Sequence, residues 1–329
     1  MRRVVVITTG GTIASTSTSS GAKAASVGGA DLLAGLSLPA DLHVEVVDVV
    51  QVNSYDLTFA DMDAVHAAVR EALAQPDTCG VVVTHGTDTL EETAMLIDLF
   101  HAEDRPVVFT GAQRSHDDAD NDGPRNLTDA ITVAASPEAR GRGVLVCFAG
   151  VIHAARGTRK VHTNDLAAFL DVDHGPVGRV LRGKNGVLEG DAVRPRASIG
   201  LSEPAALAGV RVAIVASYPD ADATAIDAYL AAGVDGIVVE ATGYGNANAA
   251  IIEGVGRCTE AAVPVVVSTR VAGGPVEAVY AGGAALIAAG AVSAGLLRPS
   301  QARIQLAALI GAGREAAQIR AAFGAAGTR

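Results

Sequence analysis

Two threonines stand where a hydroxyl could do chemistry. Thr12 follows Val4-Val5-Val6-Ile7-Thr8-Thr9-Gly10-Gly11, and Thr87 follows Val81-Val82-Val83-Thr84-His85-Gly86. Continuous β-branched runs that stop at turn residues read as short buried strands. Each run therefore delivers a hydroxyl just past a strand's carboxyl end, the edge where open parallel α/β sheets bind ligands. A threonine hydroxyl is a poor nucleophile until a base or a charge activates it. Asp88 follows Thr87 directly, and Lys160 lies in Arg159-Lys160-Val161-His162-Thr163. An ammonium buried near Thr87 and Asp88 could polarise the hydroxyl or accept its proton. Taken singly, these are a strand-to-loop turn, a helix start and a surface lysine; the chemistry needs them together.

The segment after Thr87 also reads as a helix start. Asp88 and Thr89 suit its N-terminal positions, and Glu91 and Glu92 suit the positive end of the helix dipole. That end favours a substrate carboxylate, and Asp88 offers its charge to an ammonium. Together they describe a clamp for an α-amino acid. His85, wedged in the turn, reads as a hydrogen-bonding histidine rather than a general base.

Other chemistries lack footing. The eight histidines have no metal spacing, and neither an HExxH nor a cysteine cluster occurs. A glycine fingerprint for dinucleotides or a phosphate loop is also missing, so no cofactor is expected. Asp118, Asp120, Asp122 and Gly123 match the spacing of a calcium loop, with Asp129 in the closing place. Yet Pro124 follows at once and no helix pattern precedes, so an acidic loop before a helix is expected and no metal is assigned.

The elements that must position these groups show in the alternation of patterns. Strands are expected over 4–8, 44–52, 81–84, 106–110 and 143–148, with helices over 61–74, about 91–100 and 124–135. This βα alternation calls for a mostly parallel sheet covered by helices on both faces. Residues 15–26 are nearly all Ser, Thr, Ala and Gly, a composition that favours mobility. Their place after Thr12 makes them a candidate lid. From about residue 177 charge, Gly and Pro increase. Alternation then resumes: strands over 210–217, 236–240 and 263–269, helices over 223–232 and 247–258, and two helices from about 299. The expected architecture is two α/β domains: a larger N-terminal domain over 1–190, a linker over 191–209, and a smaller C-terminal domain over 210–329.

The chain has 329 residues, 49% of them apolar, and a formal net charge of −11. No Lys/Arg stripe runs with aromatic residues, which argues against nucleic acid as a partner. Cys79, Cys147 and Cys258 are far apart and odd in number, as expected of reduced thiols. The apolar run after Arg2-Arg3 is too short for a signal peptide, and no stretch approaches a membrane span, so a cytoplasmic, membrane-free protein is expected.

The motifs, in order, resemble those of bacterial-type L-asparaginases and glutaminase-asparaginases. The resemblance rests on Thr9-Gly10-Gly11-Thr12-Ile13-Ala14 and Thr84-His85-Gly86-Thr87-Asp88-Thr89-Leu90. Gly111-Ala112-Gln113-Arg114, Asp122-Gly123-Pro124, Lys160-Val161-His162-Thr163 and Gly243-Tyr244-Gly245-Asn246-Ala247-Asn248 follow in the family order, as does Pro299-Ser300-Gln301-Ala302-Arg303. It implies hydrolysis of the side-chain amide of asparagine, without a cofactor, by a homotetramer built as a dimer of dimers. Each site would be completed by a neighbour's C-terminal domain.

By motif position, the resemblance makes Thr12 the nucleophile of an acyl-enzyme. Thr87, Asp88 and Lys160 form the second catalytic group, with Thr87 positioning or activating water or, alternatively, acting as nucleophile. It assigns Gly11, Ser54, Tyr55, Gly86, Ala112, Asn246 and Asn248 to substrate binding. Ser54 would take the α-carboxylate, and the Ala112 carbonyl would take the leaving amide. Ammonia-supplying subunits of tRNA amidotransferases share this fold but carry an extra N-terminal domain; the first strand at Arg3 points away from them.

Three positions depart from the family pattern. Ala25 stands where many members have a lid tyrosine, Tyr55 where many have glutamine, and Gly283 where many have an acidic residue or serine. Two contacts to the substrate's α-ammonium are then missing. Losing a charge-assisted hydrogen bond costs roughly 1.5–3 kcal/mol, about one or two decades in affinity. Weak affinity for L-asparagine, or a different substrate, is expected; the alternative is an amino-acid-binding protein that kept the fold but lost efficient turnover. Tyr55 or a hydroxyl within 15–20 could replace the lid tyrosine.

Overall fold

Nine residues, Arg2–Gly10, form the first strand, β1, and its side chains alternate between two buried layers. Val4 and Val6 enter one core, Val5 and Ile7 the other. A strand covered on both faces explains why its apolar run is continuous. The computed structural model describes residues 2–18, 20, 22–181, 188–189, 201 and 205–326. Two units result, Met1–Pro195 and Arg196–Arg329. The linker expected over 191–209 lies mostly outside the described residues.

In the first unit a 3-10 turn, Thr12–Ala14, follows β1. Then come β2 (Ser15–Ser17), β3 (Lys23–Ala25), α1 (Gly29–Leu33) and β4 (Leu42–Val52). Next are α2 (Phe59–Ala74), β5 (Thr78–Thr84), α3 (Leu90–Phe100), β6 (Val107–Thr110), α4 (Gly123–Ala134) and β7 (Val144–Phe148). Five short strands complete it: β8 (Val151–Ala154), β9 (Thr158–Lys160), β10 (Phe169–Asp171), β11 (Gly178–Val180) and β12 (Leu188–Glu189).

The main sheet has the order β12-β11-β8-β7-β6-β5-β1-β4. The five strands from β4 to β7 run parallel, and β8, β11 and β12 extend the sheet antiparallel. Leu127, Ala130 and Ile131 of α4 cover one face. Val65 and Val69 of α2, with Ala94 and Ile97 of α3, cover the other.

β1 and β5 are neighbours, with Thr8 paired to Thr84. The loops carrying Thr12 and Thr87 therefore leave the sheet side by side at one level.

The second unit holds β13 (Val212–Ala216), α5 (Thr224–Ala231), β14 (Gly236–Ala241), α6 (Ala249–Glu260) and β15 (Val265–Thr269). It continues with α7 (Ala281–Ala288), β16 (Val292–Ser293), α8 (Pro299–Gly311) and α9 (Ala316–Ala326). Its four strands are all parallel, in the order β13-β14-β15-β16. The two-domain α/β architecture is that expected from the alternation of patterns. The antiparallel extension of the first sheet is the addition; its strands are too short to show a period.

Within 15–26, expected to be mobile, Ser15–Ser17 and Lys23–Ala25 pair as the antiparallel hairpin β2/β3. Ser17 donates its backbone N–H and hydroxyl to Asp117, at 2.9 and 2.7 Å. The Lys23 ammonium reaches Asp117, Asp118 and the Ser17 hydroxyl at 2.9, 3.1 and 2.9 Å. The hairpin is thus tied to a loop about a hundred residues away, which local composition cannot reveal.

Candidate active site

The two threonine loops close on each other through glycine. A Cβ added to Gly11 would overlap Cα and N of Gly86, and one added to Gly86 would lie 2.5 Å from Ser54 Oγ. Gly11 also has a φ of 76°, which L side chains rarely adopt. Gly11, Gly86 and Ser54 therefore pack without room for a side chain between them. Ser54 sits in a short 3-10 turn after β4 and is buried, and its carbonyl accepts the Thr89 hydroxyl at 2.8 Å. Thr89 occupies the N-cap position of α3, but this bond removes its side chain from capping, which the sequence pattern had given to Asp88 and Thr89.

Thr12 is half-buried at the start of its 3-10 turn, and its hydroxyl has no hydrogen-bond partner among the described residues. Thr87 is buried, and its hydroxyl has two partners. The Lys160 ammonium donates to Thr87 Oγ1 and to Asp88 Oδ1, each at 2.7 Å. Thr87 donates onward to Gln113 Oε1 at 3.2 Å. Lys160 ends β9, and its backbone N–H donates to the Glu91 carboxylate at 2.6 Å. Asp88 keeps a half-exposed carboxylate beside that ammonium, free to meet a second cation.

The supporting shell is built on α4 and the loop before it. Asp122 accepts the backbone N–H groups of Gln113 and Arg114, and Asn126 Nδ2 donates to both Gly111 O and Asp122 Oδ2 at 3.0 Å. Ala112 is buried in that loop. Asp118 accepts the Ser115 N–H, and Asp120 pairs with Arg114. Asp118, Asp120 and Asp122, which matched a calcium loop, thus close their own turn.

His85 is fully buried. Its Nδ1 donates to Gly86 O and its Nε2 accepts from the Thr93 hydroxyl, both at 2.8 Å. Burial pushes its pKa down to about 4, so it stays neutral and holds the turn.

Among the sequence-derived candidates, Gly11, Ser54, Gly86, Thr87, Asp88 and Lys160 form one connected cluster. Tyr55 follows Ser54, but its ring is 66% exposed and its hydroxyl accepts from Asn53 Nδ2. Ala25, at the lid tyrosine's place, lies against Gly10. Asn246 and Asn248 belong to the second unit and carry structural bonds there. Asn246 Oδ1 accepts the Gly283 N–H at 3.0 Å. Asn248 caps α6 through Ile251 N and donates to Ala221 O. Sequence reasoning missed Gln113 and Glu91 as neighbours of the cluster. Gln113 lies in Gly111-Ala112-Gln113-Arg114, and only its contact with Thr87 marks it.

Among the described residues no helix is long and apolar enough to cross a membrane, and no group of three His, Cys, Asp or Glu could hold a metal ion. All three cysteines are free.

Comparison with known proteins matches the chain to two family models. The N-terminal domain of asparaginases matches residues 3–192, and the C-terminal domain of glutaminases and asparaginases matches residues 211–323. An L-asparaginase of Bacillus licheniformis is 35% identical over 85% of each chain. L-asparaginase 2 of Escherichia coli is 31% identical over 97% of this chain and 92% of its own. A crystal structure of a probable cytoplasmic L-asparaginase from Campylobacter jejuni superposes with a TM-score of 0.86 and 27% identity, covering 98% of this chain and 99% of that one.

Proposed function

The chain belongs to the asparaginase family, and from that membership we propose that it hydrolyses the side-chain amide of L-asparagine to L-aspartate and ammonia. One observation carries the assignment to this site: a lysine ammonium 2.7 Å from both a buried threonine hydroxyl and a carboxylate.

The reaction runs in two halves. Thr12 attacks the amide carbon, the C–N bond breaks, and the hydroxyl proton of Thr12 leaves on the departing nitrogen as ammonia. An ester to Thr12 remains. Water then attacks that ester, one of its protons returns to the Thr12 oxygen, and L-aspartate departs. Backbone N–H groups near Thr12 and Thr87 stabilise the oxyanion in both halves, a large contribution in such reactions. Ala112 offers its carbonyl to the leaving amide. Ser54 takes the α-carboxylate, and Asp88 takes the α-ammonium. Thr87, polarised by Lys160, places the water. No cofactor takes part.

The working particle is proposed to be a homotetramer, a dimer of dimers, in which Asn246 and Asn248 reach a neighbour's site from the C-terminal domain. The cytoplasm is the proposed compartment, in keeping with three free cysteines. With Ala25 and Gly283 in place of polar contacts, L-asparagine binds weakly; a micromolar KM would contradict this.

Ammonia release from L-asparagine by the purified protein tests the assignment. Thr12→Ala and Thr87→Ala should each lower kcat by roughly a thousandfold or more. Undiminished turnover in both would sink it. A panel with D-asparagine, L-glutamine and β-aspartyl amides would fix the substrate.

A further inference from the structure

The direction of one proton at this site is set by a backbone carbonyl. Gln113 bridges two acceptable partners: its Oε1 faces Thr87 Oγ1 at 3.2 Å and its Nε2 faces Asp165 O at 3.0 Å. A peptide carbonyl only accepts, so the amide nitrogen must face Asp165 and the amide oxygen must face Thr87. Turning the amide over would set two acceptors against each other. With the oxygen toward Thr87, that hydroxyl must donate to it. Lys160, as an ammonium, also only donates, and it occupies one lone pair of Thr87 Oγ1. One lone pair of Thr87 is left.

The backbone of Gln113 is itself fixed, because its N–H donates to both oxygens of the buried Asp122 carboxylate at 3.1 Å. On the far side, Asp165 N donates to His162 Nδ1 at 2.9 Å, and Asp165 Oδ1 caps Ala167 N at 2.8 Å. The amide is held at both ends.

We propose that Gln113 is a positioning residue that points the Thr87 hydroxyl proton away from the reacting centre, leaving Thr87 as an acceptor for the attacking water. This builds on the asparaginase assignment and selects between two roles for Thr87. A hydroxyl whose proton lies on an uncharged amide oxygen is not being deprotonated, since that oxygen is no base at neutral pH. It can take a hydrogen bond from water and orient the water's lone pair toward the ester. Gln113 acts through its hydrogen bond to Thr87.

Two experiments test it. The first is a neutron structure of the deuterium-exchanged protein. A deuteron on Thr87 Oγ1 aimed at Gln113 supports the proposal, and one aimed elsewhere overturns it, whatever the protein's substrate proves to be. The second is kinetic. With L-asparagine and added hydroxylamine, the acyl-enzyme partitions between aspartate and the hydroxamate. Gln113→Met should lower hydrolytic kcat roughly five- to tenfold, leave KM within about twofold, and raise the hydroxamate-to-aspartate ratio several-fold.

Gln113→Glu supplies the conservative rescue. When protonated, its acid group donates to Asp165 O and accepts from Thr87, as the amide does; when ionised, it sets a carboxylate oxygen against that carbonyl. This variant should approach wild-type kcat at the acid end and lose it as pH rises through the carboxyl range. A pH profile superimposable on the wild type, or an unchanged partition ratio in Gln113→Met, would overturn the proposal. A wild-type enzyme that forms neither ammonia nor hydroxamate would instead sink the asparaginase assignment and leave the neutron map to decide Gln113.

Discussion

Gly11 and Gly86 meet backbone against backbone, so closely that neither tolerates a Cβ. This contact holds the Thr12 loop against the Thr87 loop and seats Ser54 behind them. Gly11→Ala adds a left-handed backbone penalty, and Gly86→Ala pushes directly on Ser54 Oγ. Misplacement by an ångström at a reacting centre can cost about a hundredfold in rate. Both variants should lose about that much kcat or more, and circular dichroism should show secondary structure near wild type. Full turnover in either would mean that the two loops work independently.

Lys160 is held from both ends of its residue: its ammonium by Thr87 and Asp88, its backbone N–H by Glu91. Lys160→Met should lower kcat by at least about a hundredfold. Glu91→Gln removes a charge-assisted bond to the backbone but leaves the ammonium, so a smaller loss, roughly three- to tenfold, is expected. Equal losses in steady-state assays of the two variants would show that Glu91 does more than seat the strand.

The β2/β3 hairpin is fastened by Lys23 to Asp117 and Asp118. The Ser17 hydroxyl and the Lys23 ammonium hold the Asp117 carboxyl well below the usual carboxylate range. These groups are exposed, and such pairs are weak and screened by salt. Lys23→Ala should raise KM roughly two- to fivefold with little change in kcat, and added salt should move wild-type KM the same way. A KM indifferent to both would show that the hairpin does not bear on substrate capture.

Stability should depend on pH through two buried histidines. Burial pushes both His66 and His85 from 6.5 down to about 4; Arg70 adds to the shift at His66. In the unfolded chain they titrate near the ordinary value, so between about pH 4 and 6.5 the unfolded state binds more protons. Unfolding free energy should therefore rise with pH across that window. Each histidine contributes about 3 kcal/mol, fully present at neutral pH and lost as pH falls to about 4. Urea titrations should show this slope. His66→Phe, which keeps a ring stacked on Phe100, should remove about half of it.

The strands that deliver Thr12 and Thr87 were legible because burial on both faces demands unbroken apolar runs, and β1 and β5 carry them. The two-unit architecture followed from the same periodicities. What pairs across distance was not legible. Lys160 reaches Thr87 from 73 residues away; residue chemistry made that meeting useful, but no local spacing could show that it occurs. Gln113 sits in a loop with no period to betray its direction. The β2/β3 hairpin looks mobile by composition because Lys23 and Asp117, 94 residues apart, supply its anchor. Thr89 was placed as a cap by local propensity, but the Ser54 carbonyl, brought in by β4, took its hydroxyl.

The Asp165 carbonyl has a consequence for anyone altering this protein residue by residue. Every amino acid brings the same carbonyl to position 165, so exchanging the side chain there removes the cap on Ala167 but still leaves an acceptor facing the amide nitrogen of Gln113. A mutational survey would score the position as tolerant while its main chain still governs the hydroxyl two bonds further on. Only a change in the path of the backbone, or an ester in place of a peptide link, would expose it.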